Sequence, residues 1–272
     1  MEIEARNVAV RFGCITLLHA VTMTVRAGEM VGLIGPNGSG KTTLLRTLAN
    51  LRAPDGGSVV YGGRSAAEVG ARRLSQQVSY LAQGATVHWP MQVETLVGLG
   101  RLPHRRPMQG PGADDRAAVE RAMAACDVGA FRNRTMSEMS GGERLRVLVA
   151  RALAVEAVVL LADEPIAALD PLHQISVMEL LRRTAREGRG VVVVLHDLAL
   201  AARYCDRLIL LAHGGVRAEG TAGEVLTDAH IASAYGVDVV RGERDGVGYV
   251  LPWLPTAPGT RRSPASLAAP PQ

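Results

Sequence analysis

An α/β fold is predicted by three features of this 272-residue sequence. Gly35-Pro36-Asn37-Gly38-Ser39-Gly40-Lys41-Thr42 is a glycine-rich segment set between an apolar run, Met30-Val31-Gly32-Leu33-Ile34, and a helix-forming run from Thr43. Two further apolar runs, 157–162 and 191–195, are continuous rather than alternating, as parallel strands buried on both faces must be. Residues 90–140 carry helical patterns and no convincing strand, so a helical unit is expected to interrupt the α/β core.

The elements follow in order. Residues 3–34 read as strands with turns at Gly13 and Gly28, and Val21-Thr22-Met23-Thr24-Val25 alternates like a half-exposed strand. The helix after the glycine-rich segment is expected over 42–51, ending before Ala53-Pro54-Asp55-Gly56-Gly57. Val59-Val60-Tyr61 reads as a short strand, and 64–76 has helical spacing. The apolar segment 78–82 leads to Gln83. A proline- and glycine-rich break from Pro103 to Gly112 precedes a helix that Asp114-Asp115 would cap and that runs to Cys126-Asp127. Gly141-Gly142 opens a helix through Arg151, and the run 157–162 ends in Asp163-Glu164-Pro165. Asp170-Pro171 supplies a cap and a first-position proline for a helix to 187. Residues 207–251 read as short strands and two helices. The tail from Pro252, rich in Pro, Ala, Ser and Arg, is expected to be disordered.

Chemistry enters with the glycine-rich segment, which fits G-x-x-x-x-G-K-[ST] in a strand–loop–helix context. Its glycines let successive N–H groups converge on phosphates, and the helix N-terminus adds donors and its positive dipole end. Lys41 would reach the β- and γ-phosphates of a nucleotide, and the Thr42 hydroxyl would ligate Mg²⁺. Asp163 and Glu164 stand at a strand's C-terminal end, where ligands bind in open α/β sheets. Asp163 is the metal-side candidate and Glu164 the general base. Taken alone, the pair also fits an acidic strand-to-turn junction. A lone His after a core strand is more often structural than functional, so His196 alone leaves both readings open.

Ser140-Gly141-Gly142-Glu143, lying a short way before Asp163-Glu164, resembles the signature of ABC-type ATPases. Gln83 then matches that family's glutamine loop, Ala168-Leu169-Asp170 its aspartate loop, His196 its switch histidine and Phe12 its adenine-stacking aromatic. The resemblance runs from about Ile3 to Leu251. It implies a P-loop NTPase core with an antiparallel β subdomain and a helical subdomain inserted at about 90–140, within an ATPase domain spanning 1–251. It implies ATP and Mg²⁺ as cofactors. The nucleotide-binding residues would be Phe12, the loop from Gly35 through Lys41, Thr42 and Thr43, and Ser140, Gly141, Gly142 and Asp170. Thr42, Gln83 and Asp163 would serve the metal, and Glu164, His196 and Gln83 hydrolysis. The sequence departs from the family at Met139 and Ala167, where Leu and Ser are usual, and carries Phe rather than Tyr at position 12.

One chain carries one loop and one signature, and the family places both on the same ATP from different copies. A head-to-tail homodimer is therefore implied. The segment 93–104, with Gly100-Arg101-Leu102-Pro103-His104, resembles ATPases of iron-siderophore, haem and cobalamin importers. As a short motif it also fits a surface loop with a solvated Arg and His. The importer reading implies a membrane permease as partner, a substrate-binding protein indirectly, and a peripheral position on the cytoplasmic face of the plasma membrane. Arg101, Leu96 and Leu99 are the candidates for permease docking, with Leu96 and Leu99 also fitting a core. The alternative is a soluble ABC ATPase in nucleic-acid or cluster-assembly work.

Bulk properties set the limits. Net charge is +4, too modest to argue for nucleic acid. Three scattered cysteines, Cys14, Cys126 and Cys205, suggest reduced thiols. No apolar run approaches the ~20 residues a membrane-spanning helix needs.

Overall fold

The computed structural model describes residues 1–84, 90–106, 108–167, 169–244 and 246–256. The chain opens with β1 (Ile3–Phe12), β2 (Ile15–Val25), β3 (Met30–Ile34), α1 (Lys41–Leu48), β4 (Gly56–Tyr61) and β5 (Arg64–Ser65). Next come α2 (Ala66–Val69), α3 (Ala71–Gln77), β6 (Val78–Leu81), α4 (Val93–Gly98), α5 (Ala113–Ala125), α6 (Gly141–Ala154) and β7 (Val159–Ala162). The remainder is α7 (Pro171–Arg186), β8 (Gly190–Val194), α8 (Leu198–Tyr204), β9 (Arg207–Ala212), β10 (Gly215–Gly220), α9 (Ala222–Val225), α10 (Asp228–Tyr235), β11 (Val237–Arg244) and β12 (Val247–Pro255).

A six-stranded sheet in the order β10-β9-β3-β8-β7-β6 forms the centre, parallel except for β10. An antiparallel sheet, β2-β1-β4-β5, packs beside it. Alternation along the central strands divides the core in two. In β8, Val192 and Val194 join α1 and the antiparallel sheet, whereas Val191 and Val193 join the cluster holding α6, α7 and the helical insertion. Both faces are buried, which is why those strands read as unbroken apolar runs. The parallel sheet, the antiparallel unit and the helical insertion all agree with the sequence.

Several boundaries differ. The α1 helix stops at Leu48 because Asn50 takes a left-handed conformation, φ 56°, and closes the helix. The stretch 64–76 is not one helix: Gly70, at φ 82°, separates α2 from α3. Strand β7 begins only at Val159 and ends at Ala162, leaving Asp163 and Glu164 just beyond it. Gly112, not Asp114, caps α5, and the Asp115 carboxylate accepts the Gly112 N–H at 3.0 Å. The expected disorder from Pro252 fails for the first residues, because β12 continues to Pro255 against β11. Pro252 is tolerated there opposite a register shift at Val239, on a strand with one free edge. Residues 257–272 lie outside the described residues.

Arg101 of the Gly100–His104 segment is not a solvated side chain. Arg101 is only 5% exposed. Its guanidinium pairs with Asp115 at 3.1 Å and Glu156 at 3.0 Å and donates to the Ala154 carbonyl at 2.8 Å. It thus holds the C-terminal end of α6, where carbonyls lack helical partners. A Cβ on Gly100 would stand 2.3 Å from the Arg151 carbonyl oxygen, so glycine is what permits this approach. Leu96 is core at 2% exposed, and Leu99 packs on the same cluster. The docking assignment for Arg101, Leu96 and Leu99 is therefore withdrawn.

Candidate active site

The loop from Gly35 to Gly40 is built by backbone geometry. Gly35, Gly38 and Gly40 have φ of 149°, 76° and 100°. A Cβ on Gly35 would lie 2.0 Å from the Leu211 carbonyl oxygen, and one on Gly40 2.6 Å from Leu18 Cδ2. Only glycine fits these positions. The loop delivers the chain into α1, whose cap residue Gly40 makes no side-chain hydrogen bond. The first N–H groups of α1 are thus not claimed by a capping side chain.

Lys41 is 5% exposed, and its Nζ donates to the carbonyls of Gly35 at 2.7 Å and Pro36 at 2.9 Å. Burial pushes its pKa down, partly opposed by Glu164 and Asp163. The Ser39 hydroxyl is buried and has no hydrogen-bond partner in the protein. A buried cation and an orphaned hydroxyl within a glycine cradle fit the phosphates of a nucleotide. The adjoining cleft, about 520 Å³, is lined by Leu17, residues 37–43, Gln83, Glu164 and His196.

Of the acidic pair, Glu164 lines this cleft and Asp163 is buried against its Thr42. Asp163 is 1% exposed and its Oδ1 accepts the Thr42 hydroxyl at 3.1 Å. Burial raises its pKa, while hydrogen bonds from Tyr80 and Thr42 pull the other way. A carboxylate and a hydroxyl side by side are the hard oxygen donors that Mg²⁺ takes. Both oxygens of Glu164 are occupied: Gln83 Nε2 donates to Oε2 at 2.6 Å, and His196 Nε2 stands 2.6 Å from Oε1. Glu164 itself has φ 50° before Pro165, a left-handed conformation that costs a non-glycine residue energy. That strain, together with two partners, fixes the carboxylate toward the cleft.

The remaining expected residues are not in the cleft. Phe12 ends β1 and is 70% exposed, outside the lining. Ser140 caps α6: its hydroxyl accepts the Glu143 N–H at 3.3 Å while the Glu143 carboxylate accepts the Ser140 N–H at 2.7 Å. Asp170 caps α7, accepting the His173 N–H at 3.0 Å and lying 2.6 Å from His173 Nδ1. That backbone hydrogen bond, with the ring's help, holds the Asp170 pKa down. The His173 ring packs against Gly142, where a Cβ would lie 3.4 Å away. The starts of α6 and α7 therefore form one surface, separate from the loop of the same chain. Ala168, between the two, lies outside the described residues.

Sequence reasoning missed Tyr80, whose hydroxyl donates to Asp163 Oδ2 at 3.0 Å, and Arg46, which approaches both. The signals were slight: Tyr80 is the one ring in an apolar strand, and Arg46 falls one helical turn after Thr42.

Residues 18–167 match the family described as ABC transporter. The chain belongs to the ABC transporter ATPases. It is 41% identical over 250 residues to the hemin import ATP-binding protein HmuV of Thermobifida fusca (strain YX), covering 91% of this chain and 87% of that one. It is 40% identical over 252 residues to the cobalamin import ATP-binding protein BtuD of Halobacterium salinarum (strain ATCC 29341 / DSM 671 / R1). That match covers 92% of this chain but spans only 63% of the relative. A dimeric, post-hydrolysis structure of the ATP-binding cassette MJ0796, bound to ADP and Pi, matches with a TM-score of 0.69 at 28% identity. It covers 81% of this chain and 98% of the cassette. This ABC ATPase is thus an enzyme of ATP hydrolysis, and no helix among its described residues is long and apolar enough to cross a membrane.

Proposed function

We propose that this ATPase is the hydrolysing subunit of an importer for haem, cobalamin or an iron chelate, working as a head-to-tail dimer on a membrane permease. The observation that carries the dimer is the separation just described. The cleft holds the phosphate loop, Gln83, Glu164 and His196, while Ser140 and Asp170 stand outside it. A second copy, turned head to tail, would bring its Ser140-Gly141-Gly142 to the phosphates in this copy's loop. The import reading and its substrate class rest on the relatives' hemin and cobalamin import. The permease and the substrate-binding protein lie beyond this chain, and the ATPase would sit on the cytoplasmic membrane face.

In the bound state the glycine loop and Lys41 hold the phosphates, and Phe12 stacks on the base. Thr42 and Asp163, with Gln83 alongside, would hold Mg²⁺, which would supply charge neutralisation to the phosphates. Glu164 accepts the proton of the attacking water. His196 orients Glu164 through the contact already present. Gln83 must give up its hydrogen bond to Glu164 before that carboxylate can face water, so hydrolysis is coupled to movement of the segment after β6.

Purification of the tagged chain from detergent-solubilised membranes tests the import reading. Recovery of a permease in a complex whose ATP hydrolysis rises with haem, cobalamin or an iron chelate plus its binding protein is the expected result. Recovery of nucleic acid or an assembly scaffold instead of a permease would favour the soluble alternative.

A further inference from the structure

Asp163 is anchored twice, from two different elements. Its Oδ1 accepts the Thr42 hydroxyl from α1, and its Oδ2 accepts the Tyr80 hydroxyl from β6 at 3.0 Å. The fold dictates the second contact. In β6, Ser79 faces α6, where its hydroxyl donates to the Ala152 carbonyl at 2.9 Å, and Leu81 lies in the same cluster as α6. Alternation therefore turns Tyr80 to the opposite face, where its ring packs on the cluster that includes Leu44, Leu45 and Leu48 of α1. Tyr80 is in register with Leu161 of β7, and the length of the phenol carries its hydroxyl two residues farther, to Asp163. Three residues later the same strand's exit places Gln83 on Glu164. One edge strand thus supplies a partner to each of two successive carboxylates.

The two partners differ in kind. Gln83 lies in the open cleft and can exchange its acceptor, whereas Tyr80 is half-buried beneath it. The terminal torsion of an aspartate is broad and two-fold, so a carboxylate held by one oxygen can swing. On that reading Thr42 would turn its hydroxyl to the metal, and Tyr80, which Arg46 also approaches, would still hold the other carboxylate oxygen of Asp163.

We infer that Tyr80 is a positioning residue for magnesium: it fixes the Asp163 carboxylate so that Oδ1 keeps facing Thr42 and the cleft when Mg-ATP binds. The inference rests on the reading of Asp163 as the metal-side carboxylate. Partners of metal ligands are worth about 10–100-fold in metal affinity. A hydroxyl donating to a carboxylate is among the stronger hydrogen bonds.

Tyr80→Phe in the full chain removes one oxygen and keeps the ring. ATP binding is measured by calorimetry with and without Mg²⁺, and Mn²⁺ binding to the ATP-loaded protein by electron paramagnetic resonance. The expected result is about a tenfold loss of Mn²⁺ and Mg²⁺ affinity, at the low end of the range for such partners. Metal-free ATP affinity is retained, and hydrolysis shows the loss as a higher magnesium requirement rather than a lower kcat. Unchanged metal affinity overturns the inference. So does an equal loss of metal-free ATP affinity, or a melting point far below the wild type, since either assigns the hydroxyl to general structure. Asp163→Asn separates this from the underlying reading. If it binds Mg²⁺ with ATP as the wild type does, Asp163 is not the metal-side residue. If it loses the metal while Tyr80→Phe does not, only the role of Tyr80 fails.

Discussion

Two helix starts in this molecule look alike in sequence and differ in what they leave open. Helix α1 follows Ser39-Gly40, α6 follows Ser140 and opens on Gly141-Gly142, and both would meet phosphate. The α1 start is capped by Gly40, which offers no side chain, so no cap in the protein competes for its N–H groups. The α6 start is closed by a reciprocal capping box in which Ser140 and Glu143 satisfy one another. The α1 start thus leaves donors free for a ligand, whereas the α6 start is satisfied within its own chain. A buried Lys41 and an unpartnered Ser39 hydroxyl stand at the first, and no comparable orphaned side chain stands at the second among the described residues.

The largest break in that comparison should come from Lys41→Ala. Lys41 is the buried cation of the loop, and losing one preorganised charge stabiliser costs about 100-fold or more in kcat. Turnover within a few-fold of wild type at saturating Mg-ATP would remove the loop from the active site. Next is Arg101→Ala. It leaves Asp115 and part of Glu156 without their cation and uncaps the far end of α6. Removing one partner of a buried pair costs about 3–5 kcal/mol, at the lower end here because Glu156 is partly exposed and keeps Arg121. Chemical denaturation measures it, and a loss below about 1 kcal/mol, the worth of a surface pair, would return Arg101 to the surface. The smallest effect belongs to Glu143→Ala, which opens the capping box while leaving Ser140 in place. A slight fall in melting temperature with unchanged nucleotide binding by the isolated chain is expected. Loss of nucleotide affinity in the monomer would place the signature in the chain's own site.

The residues that meet around the cleft were legible in the sequence because they fall in local patterns: the loop glycines, Lys41-Thr42, and carboxylates after an apolar strand. The sheet was legible because strands buried on both faces leave unbroken apolar runs at 30–34 and 191–195. What failed were features decided by contacts distant in sequence. Arg101 reads as a surface arginine until Asp115, Ala154 and Glu156 surround it. Tyr80 reads as one more apolar strand residue until β7 is laid beside β6 in register. The end of the domain was set too early because prolines 252 and 255 suggest a tail, whereas pairing with β11 keeps them in a strand. The roles of Phe12, Ser140 and Asp170 stay assigned by resemblance, since the single chain does not bring them to the cleft.

In the proposed dimer a second copy completes the active site. Glu164→Gln, which retains the shape of the side chain and loses the base, should hold ATP unhydrolysed and trap the dimer. Light scattering coupled to size exclusion measures it directly. A mass of about twice the 28.8 kDa chain is expected with Mg-ATP. A single-chain mass is expected when Ser140→Arg is added, although the double variant still binds ATP. An ATP-saturated Glu164→Gln protein that stays monomeric, or a double variant that dimerises equally well, would contradict it.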